Sequence, residues 1–235
     1  MLGRIFTEHF AFSASDSVVV IGLGRFGGSV AQSLIRLGHD VMGIDQKEEL
    51  VQFWGDRLTH AVQADSTNES VMLQLGVADF SHAIVAMGSD LSASLMTLMV
   101  LTELGIKDIW VKAKTPEHGA IAERIGAHHV VYPEADMGAR VAHLITGRMM
   151  DFIEFEDGFG IAKIKAPAGT HHHSLAEAHV RSRYGVTIVG VKRANEDFQH
   201  ALPDTRILPA DILIVSGPTK KIEAFASGES KRKRK

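Results

Sequence analysis

The sequence predicts an α/β protein: a doubly wound parallel sheet followed by a small α+β module. Three observations carry that expectation. From Val18 onward, short β-rich runs alternate with helical patterns, as parallel strands joined by crossover helices do. A glycine-rich turn stands where the first of those strands meets the first helix. From Asp151 the alternation gives way to another order: strand, loop, helix, strand, polar turn and strand.

The strand candidates of the first zone are Val18–Ile21, Val41–Ile44, His60–Gln63, Ala83–Ala86, Ile109–Lys112 and His129–Val131. Helical segments lie between them at Phe26–Leu37, Asn68–Leu75, Leu91–Leu104 and Glu117–Ile125. Val30, Leu34 and Leu37 recur at i, i+4 and i+7, an apolar stripe for packing on a sheet. Gly38, Gly76, Gly105 and Gly126 each follow a helical run closely, where helices stop. Past Tyr132 a further helix is expected, capped by Asp136 and reaching to about Met150. The second zone reads as strand Ile161–Ala166, helix Leu175–Arg183, strand Thr187–Lys192 and strand Ile212–Ser216.

Composition narrows the function classes. Hydrophobic residues make up 45% and charged residues 23% of the 235, the balance of a globular protein. With no cysteine, disulfides, thiolate metal sites and a cysteine nucleophile are excluded. A net charge of −3 argues against a nucleic-acid-binding body. Met1 to Ser17 lacks the continuous apolar stretch of a signal peptide. Leu91 to Leu104, interrupted by Ser92, Ser94, Thr97, Thr102 and Glu103, is too short and too polar to span a bilayer. A cytoplasmic location is the expectation.

Gly22-Leu23-Gly24-Arg25-Phe26-Gly27 is a G-x-G-x-x-G that follows an apolar strand and opens a helix, the setting in which the pattern acquires meaning. Gly22 permits the tight turn, Gly24 lets backbone approach a phosphate, and Gly27 lets the helix pack close to the strand. Unpaired N–H groups at the helix start then face the anion. Asp45 ends the second strand, where a carboxylate can hold both hydroxyls of an adenosine ribose; an acid there disfavours a 2′-phosphate and hence NADP. Arg25 opposes the helix dipole at a cost of about 0.3–1 kcal/mol, which a bound polyphosphate would reverse. A solvated Arg25 facing away from the site is the alternative.

The first zone thus reads as a Rossmann-like nucleotide-binding domain over residues 18–135. An N-terminal extension (1–17) precedes it, and a linker helix (136–150), a C-terminal subdomain (151–225) and a basic tail (226–235) follow. A nicotinamide enzyme needs a substrate domain and an acid or base for the proton that accompanies hydride transfer. The second zone is small for the former and shows no obvious pair for the latter. Sensing is favoured over catalysis. A small NAD-dependent oxidoreductase, or an NAD(H) or adenine-nucleotide sensor with another partner, are the alternatives.

Val20–Gly28 (VIGLGRFGG), Ile109–Ala113 (IWVKA), Ile125–Ala127 (IGA) and Pro133–Gly138 (PEADMG) occur in this order. Together they make a chain that resembles the KtrA/TrkA family of potassium-uptake regulatory subunits, built from the N- and C-terminal parts of an RCK domain. The resemblance runs from about Val18 to Gly217. It implies a non-enzymatic cytosolic subunit, dimers of which assemble into an octameric ring. That ring would sit peripherally on the cytoplasmic face of the membrane, on a potassium-translocating subunit of the KtrB/TrkH kind. ATP or ADP would change the ring's shape and so gate the pore, although Asp45 serves the unmodified ribose of NAD(H) equally well.

The same resemblance assigns Gly22, Gly24, Phe26 and Gly27 to the phosphate turn and Asp45 to the ribose. It assigns Asp65 and Ser66 to the adenine edge, and Met87, Gly88 and Ser89 to the other side of the nucleotide. Arg25 matches an arginine that reaches a γ-phosphate across a dimer interface. Glu134 matches an acid that helps hold Mg or Ca between two ATP molecules, or else simply favours a helix start, as Asp136 does. Lys112 stands near the phosphates or merely closes its strand.

In the second zone Ser174, Leu175, Val180, Arg181, Tyr184 and Gly185 keep a frame that in some members lines a cyclic di-AMP pocket. His179 replaces the asparagine expected there, and a helix packing on a small sheet without ligand is the alternative. His171–His173 is a solvated loop run with no metal site assigned. Lys231–Lys235 is expected to be a solvated, disordered cationic end, with contact to anionic lipid as the alternative.

Overall fold

The computed structural model describes residues 17–88, 90–145 and 149–228. Ser89, the extension up to Asp16 and the cations Lys231–Lys235, all named above, lie outside the described residues. The chain divides between Pro133 and Glu134 into two compact units.

In the first unit the order is β1 (Val18–Ile21), α1 (Arg25–Arg36), β2 (Val41–Asp45), α2 (Glu48–Gly55), β3 (His60–Gln63), α3 (Glu69–Gln74), β4 (His82–Val85), α4 (Leu91–Glu103), β5 (Asp108–Lys112), α5 (Pro116–Ile125) and β6 (His129–Val131). All six strands run parallel in the order β3-β2-β1-β4-β5-β6, the doubly wound arrangement expected. The sheet is buried on both faces, so β1 reads as a continuous apolar run rather than an alternation. Val19 and Ile21 join one core with Leu98, Leu101 and Ile109, while Val18 and Val20 join another with Ala31, Trp54 and Leu58. At the opposite end of the strands from the glycine turn, Asp108 accepts hydrogen bonds from His82 Nδ1 (2.9 Å) and Trp110 Nε1 (3.0 Å) and lies 3.2 Å from His129 Nε2, tying together the starts of β4, β5 and β6.

The helix α2 has no counterpart among the sequence expectations. It has acidic Glu48 and Glu49 in its first turn but no capping side chain: Lys47 at the cap position makes no side-chain bond to the helix. Its apolar residues come as two adjacent pairs, Leu50-Val51 and Phe53-Trp54, and only Trp54 is buried.

The second unit comprises α6 (Pro133–Ile145, its first residue in the other unit), β7 (Asp151–Glu154), β8 (Phe159–Lys165), α7 (Leu175–Ala178), α8 (Val180–Tyr184), β9 (Thr187–Lys192), β10 (Gln199–His200), β11 (Ile212–Pro218) and α9 (Thr219–Ala226). An antiparallel sheet in the order β10-β9-β11-β8-β7 packs on α9 through Ile164, Leu213, Val215, Ile222 and Phe225.

Three expectations are corrected here. The helix placed at Asp136 starts at Pro133, a residue that pre-sets the first helical position, so Asp136 sits inside the first turn instead of capping it. The single helix Leu175–Arg183 is two, broken at His179, whose φ of +47° lies in the left-handed region. Asparagine, expected at that position, tolerates that region better than histidine does. The edge strand β7, the two-residue β10 and α9 are additional, each too short or too sparsely apolar to read from the sequence.

Candidate functional site

In an open parallel sheet, ligands bind beyond the carboxyl ends of the strands, where the strand order reverses. Here that point lies between β1 and β4, and a cleft of about 340 Å³ opens there. The turn after β1 contributes Gly22 and Gly24, the end of β2 contributes Asp45, and the segment after β3 contributes Ser66. Met87 and Gly88 after β4 close the other side.

The glycines of the turn have different physical reasons. Gly22 has a φ of +93°, which L side chains rarely adopt. A Cβ at Gly27 would lie 1.9 Å from the Gly22 carbonyl oxygen, so only glycine lets α1 pack against the turn. At Gly24 a Cβ would meet nothing within 4 Å: the protein itself does not need glycine there, and the space lies open to a ligand. Gly24 also precedes the first turn of α1 without offering a side-chain cap, and that turn holds no acidic residue. Its N–H groups are left to an anion.

Asp45 does two things at once. Oδ2 accepts a 2.7 Å hydrogen bond from the Leu23 amide, and Oδ1 accepts one of 2.9 Å from the Lys47 amide. The carboxylate is thereby aimed along the cleft wall, and each oxygen retains a lone pair for a hydroxyl donor. Ser66 is buried, with its hydroxyl 2.8 Å from that of Thr97 on α4.

Of the remaining sequence candidates, several stand outside the lining. Asp65 turns its carboxylate into its own loop, where Oδ1 accepts from the Thr67 hydroxyl (2.7 Å), the Thr67 amide (3.0 Å) and Gln46 Nε2 (3.0 Å). The Thr67 bonds hold its carboxyl below the usual carboxylate range. It therefore braces two cleft segments instead of facing the cleft with its side chain. Arg25 is exposed at the first position of α1 and has no partner among the described residues. Phe26 is half-buried, with Lys112 Nζ 5.4 Å from its ring centroid. Lys112 is buried at the end of β5, and a Cβ on Gly88 would sit 3.3 Å from its Nζ, so the ammonium stands against a cleft-wall residue. Glu134 is exposed in the first turn of α6, in the second unit.

Sequence reasoning missed Gln46, Lys47 and Asp90, all in the cleft lining. Asp90 had a signal, because its carboxylate caps α4 by accepting from the Ala93 amide at 3.0 Å. Trp54 was also missed. Its Nε1–H donates to the Leu23 carbonyl at 3.1 Å, from a helix 31 residues further on.

A second cleft, of about 360 Å³, lies in the second unit. Leu175, Val180 and Arg181 line it together with Thr187, Leu202 and Pro203, and Arg181 Nε donates to Thr187 Oγ1 at 3.2 Å. His179 is exposed and Tyr184 packs on Phe225 at 4.9 Å between centroids; neither is in the lining. In the histidine run, His171 Nε2 is bound to the Ala166 carbonyl at 2.9 Å.

Comparison with known proteins places these two units. The TrkA-N domain model matches residues 18–133 and the TrkA-C domain model residues 161–227. The chain is 36% identical over 225 residues to Ktr system potassium uptake protein A of Bacillus subtilis, covering 95% of this chain and 98% of that one. Against protein C of the same system it is 39% identical over 207 residues, covering 88% and 94%. The counterpart from Vibrio alginolyticus is 30% identical over 204 residues, covering 86% and 93%. Among solved structures, the GsuK RCK domain shares the fold at a TM-score of 0.63 and 16% identity, over 93% of this chain and 49% of that one. The GsuK channel bound to NAD gives 0.63 and 16% over 90% and 39%. A two-domain TrkA-N/TrkA-C chain with this identity along nearly its whole length belongs to the family of Ktr-system potassium uptake proteins.

Proposed function

We propose that this protein is the nucleotide-sensing regulatory subunit of a potassium-uptake system, and that the cleft at the ends of β1, β2 and β4 takes ATP or ADP. The observation that carries the reading is the convergence of Gly22, Gly24 and Asp45 on one cleft, with the uncapped start of α1 facing it. The turn would hold the phosphates and Asp45 the ribose hydroxyls. Lys112, against Gly88, adds a positive charge close to the phosphate end. No chemistry on the nucleotide is assigned. For the ligand to act as a signal, it must bind two arrangements of the assembly with different affinity.

The partner is a membrane subunit that conducts potassium, and the protein works at the cytoplasmic face as a ring of dimers, eight copies in all. None of the described helices is long and apolar enough to cross a membrane. One feature favours self-assembly: α6 buries none of its residues, and Met137, Val141 and Ile145 lie exposed at i, i+4 and i+8. NAD(H) is the second reading for the cleft, since Asp45 accepts any unmodified adenosine ribose and the GsuK channel, similar in fold, is recorded with NAD. Cyclic di-AMP is the ligand proposed for the second cleft, with Arg181 pairing with a phosphate.

Calorimetry with ATP, ADP and NADH tests the assignment. ATP and ADP should bind, and Asp45→Ala should weaken both; unchanged affinity in a folded variant would remove the ribose role. Arg25→Ala should weaken ATP more than ADP, because only ATP carries the γ-phosphate proposed for it. Glu134→Gln should lessen any dependence of ATP binding on Mg or Ca. Cyclic di-AMP binding should vanish in Arg181→Ala.

A further inference from the structure

The backbone of Leu23, the residue between the first two glycines of the turn, is held at both its amide and its carbonyl by side chains from distant segments. Its amide donates to Asp45 Oδ2 at 2.7 Å, and its carbonyl accepts from Trp54 Nε1 at 3.1 Å. Trp54 is buried, and its indole lies directly under α1: a Cβ on Gly28 would come within 2.3 Å of the ring. On the β2 side the Leu23 side chain fills the space that a Cβ on Gly43 would need, at 2.7 Å. Outside the indole, the Phe53 ring stands edge-on at 5.2 Å and the Arg57 guanidinium covers Phe53 at 3.9 Å.

A glycine-rich turn has the most backbone freedom to lose when it wraps a phosphate. Holding it beforehand spares that cost at the moment of binding. Asp45 braces the turn from within the cleft lining, where its remaining lone pairs are proposed to meet the ribose. Trp54 is absent from the cleft lining, so its indole N–H holds the turn without being a ligand contact itself. Its bond can persist in the free and the bound protein.

We infer that Trp54 is a positioning residue that pre-sets the phosphate turn, so that α2 sets the affinity of a cleft it does not line with this side chain. The inference rests on the nucleotide reading of that cleft. If the turn samples other conformations once the bond is gone, apparent affinity falls in proportion to the competent fraction. Loss of one such hydrogen bond corresponds to about a three- to tenfold change. The loss should fall on ligands with phosphates, since the turn holds the phosphates.

The test uses the full chain with benzothienylalanine at position 54, which keeps the bicyclic shape and replaces N–H by sulfur, beside Trp54→Phe. ADP and adenosine affinities are measured by calorimetry, and amide exchange across Gly22–Gly27 is followed in the ligand-free protein. The expected result is weaker ADP binding in both variants, a smaller change for adenosine, and faster exchange in the turn. Undiminished ADP affinity, or equal losses for ADP and adenosine, would overturn the positioning role. If the wild type binds no ADP at all, the nucleotide reading fails instead, and unchanged exchange in the variants would then remove the clamp as well.

Discussion

Gly24 and Gly27 stand three residues apart in one turn, and replacing them separates ligand binding from folding. A methyl group on Gly27 would collide with the Gly22 carbonyl at 1.9 Å, whereas one on Gly24 would meet nothing in the protein within 4 Å. Gly27→Ala should therefore destabilise the first unit, by about 1–3 kcal/mol as overpacking does. Gly24→Ala should leave stability within about 0.5 kcal/mol of wild type while weakening ADP about tenfold or more, because its methyl would occupy the space proposed for a phosphate. Thermal melts with and without ADP check both. A Gly24→Ala variant that binds ADP normally would place the phosphate elsewhere.

Helix α4 meets α5 through a polar contact. His118 is buried there, its Nε2 3.4 Å from the Ser94 hydroxyl, and burial holds its pKa below the ordinary 6.5. The fold favours the neutral ring, so below pH 6.5 the unfolded chain binds the additional proton. Stability must then fall as pH falls through that range, and this contribution to the slope vanishes above it. His118→Asn should flatten the dependence of melting temperature on pH below 6.5; an unchanged slope would assign it to other groups. In the second unit the break between α7 and α8 costs strain at His179, φ +47°. His179→Gly relieves that strain and should stabilise this unit by up to about 1 kcal/mol, measurable by denaturant titration.

At the scale of the whole molecule, each unit has a core of its own: Val19, Ile44, Leu98 and Ile109 in the first, Ile164, Leu213, Ile222 and Phe225 in the second. A chain ending at Pro133 should fold and bind ADP within a few-fold of the full protein, since every cleft residue precedes that point. A chain starting at Glu134 should melt cooperatively on its own. Loss of ADP binding in the folded first fragment would mean that the second unit, or another copy, completes the site. Sedimentation of the full chain with Val141→Glu tests the proposed assembly, which should dissociate to smaller species if the α6 stripe is an interface.

How much of this was legible beforehand followed from the range of the interactions. The six parallel strands, helices α1, α3, α4 and α5 and the turn at Gly22–Gly27 are specified by neighbours: apolar runs, periodicity and glycines at fixed offsets. Asp45 could be placed because it ends the strand next to that turn. The break at His179 was not legible, because a left-handed residue other than glycine leaves no local mark. Nor were β7 and α9, whose few apolar residues acquire meaning only against the sheet they cover. The alphabet of the cleft was thus determined by the sequence, while its bracing was decided by tertiary structure. Gln46 meeting Asp65, Ser66 meeting Thr97, and Trp54 reaching Leu23 depend on which segments the sheet order brings together. Hydrogen bonds between residues tens of positions apart have no period and no spacing for a sequence to display.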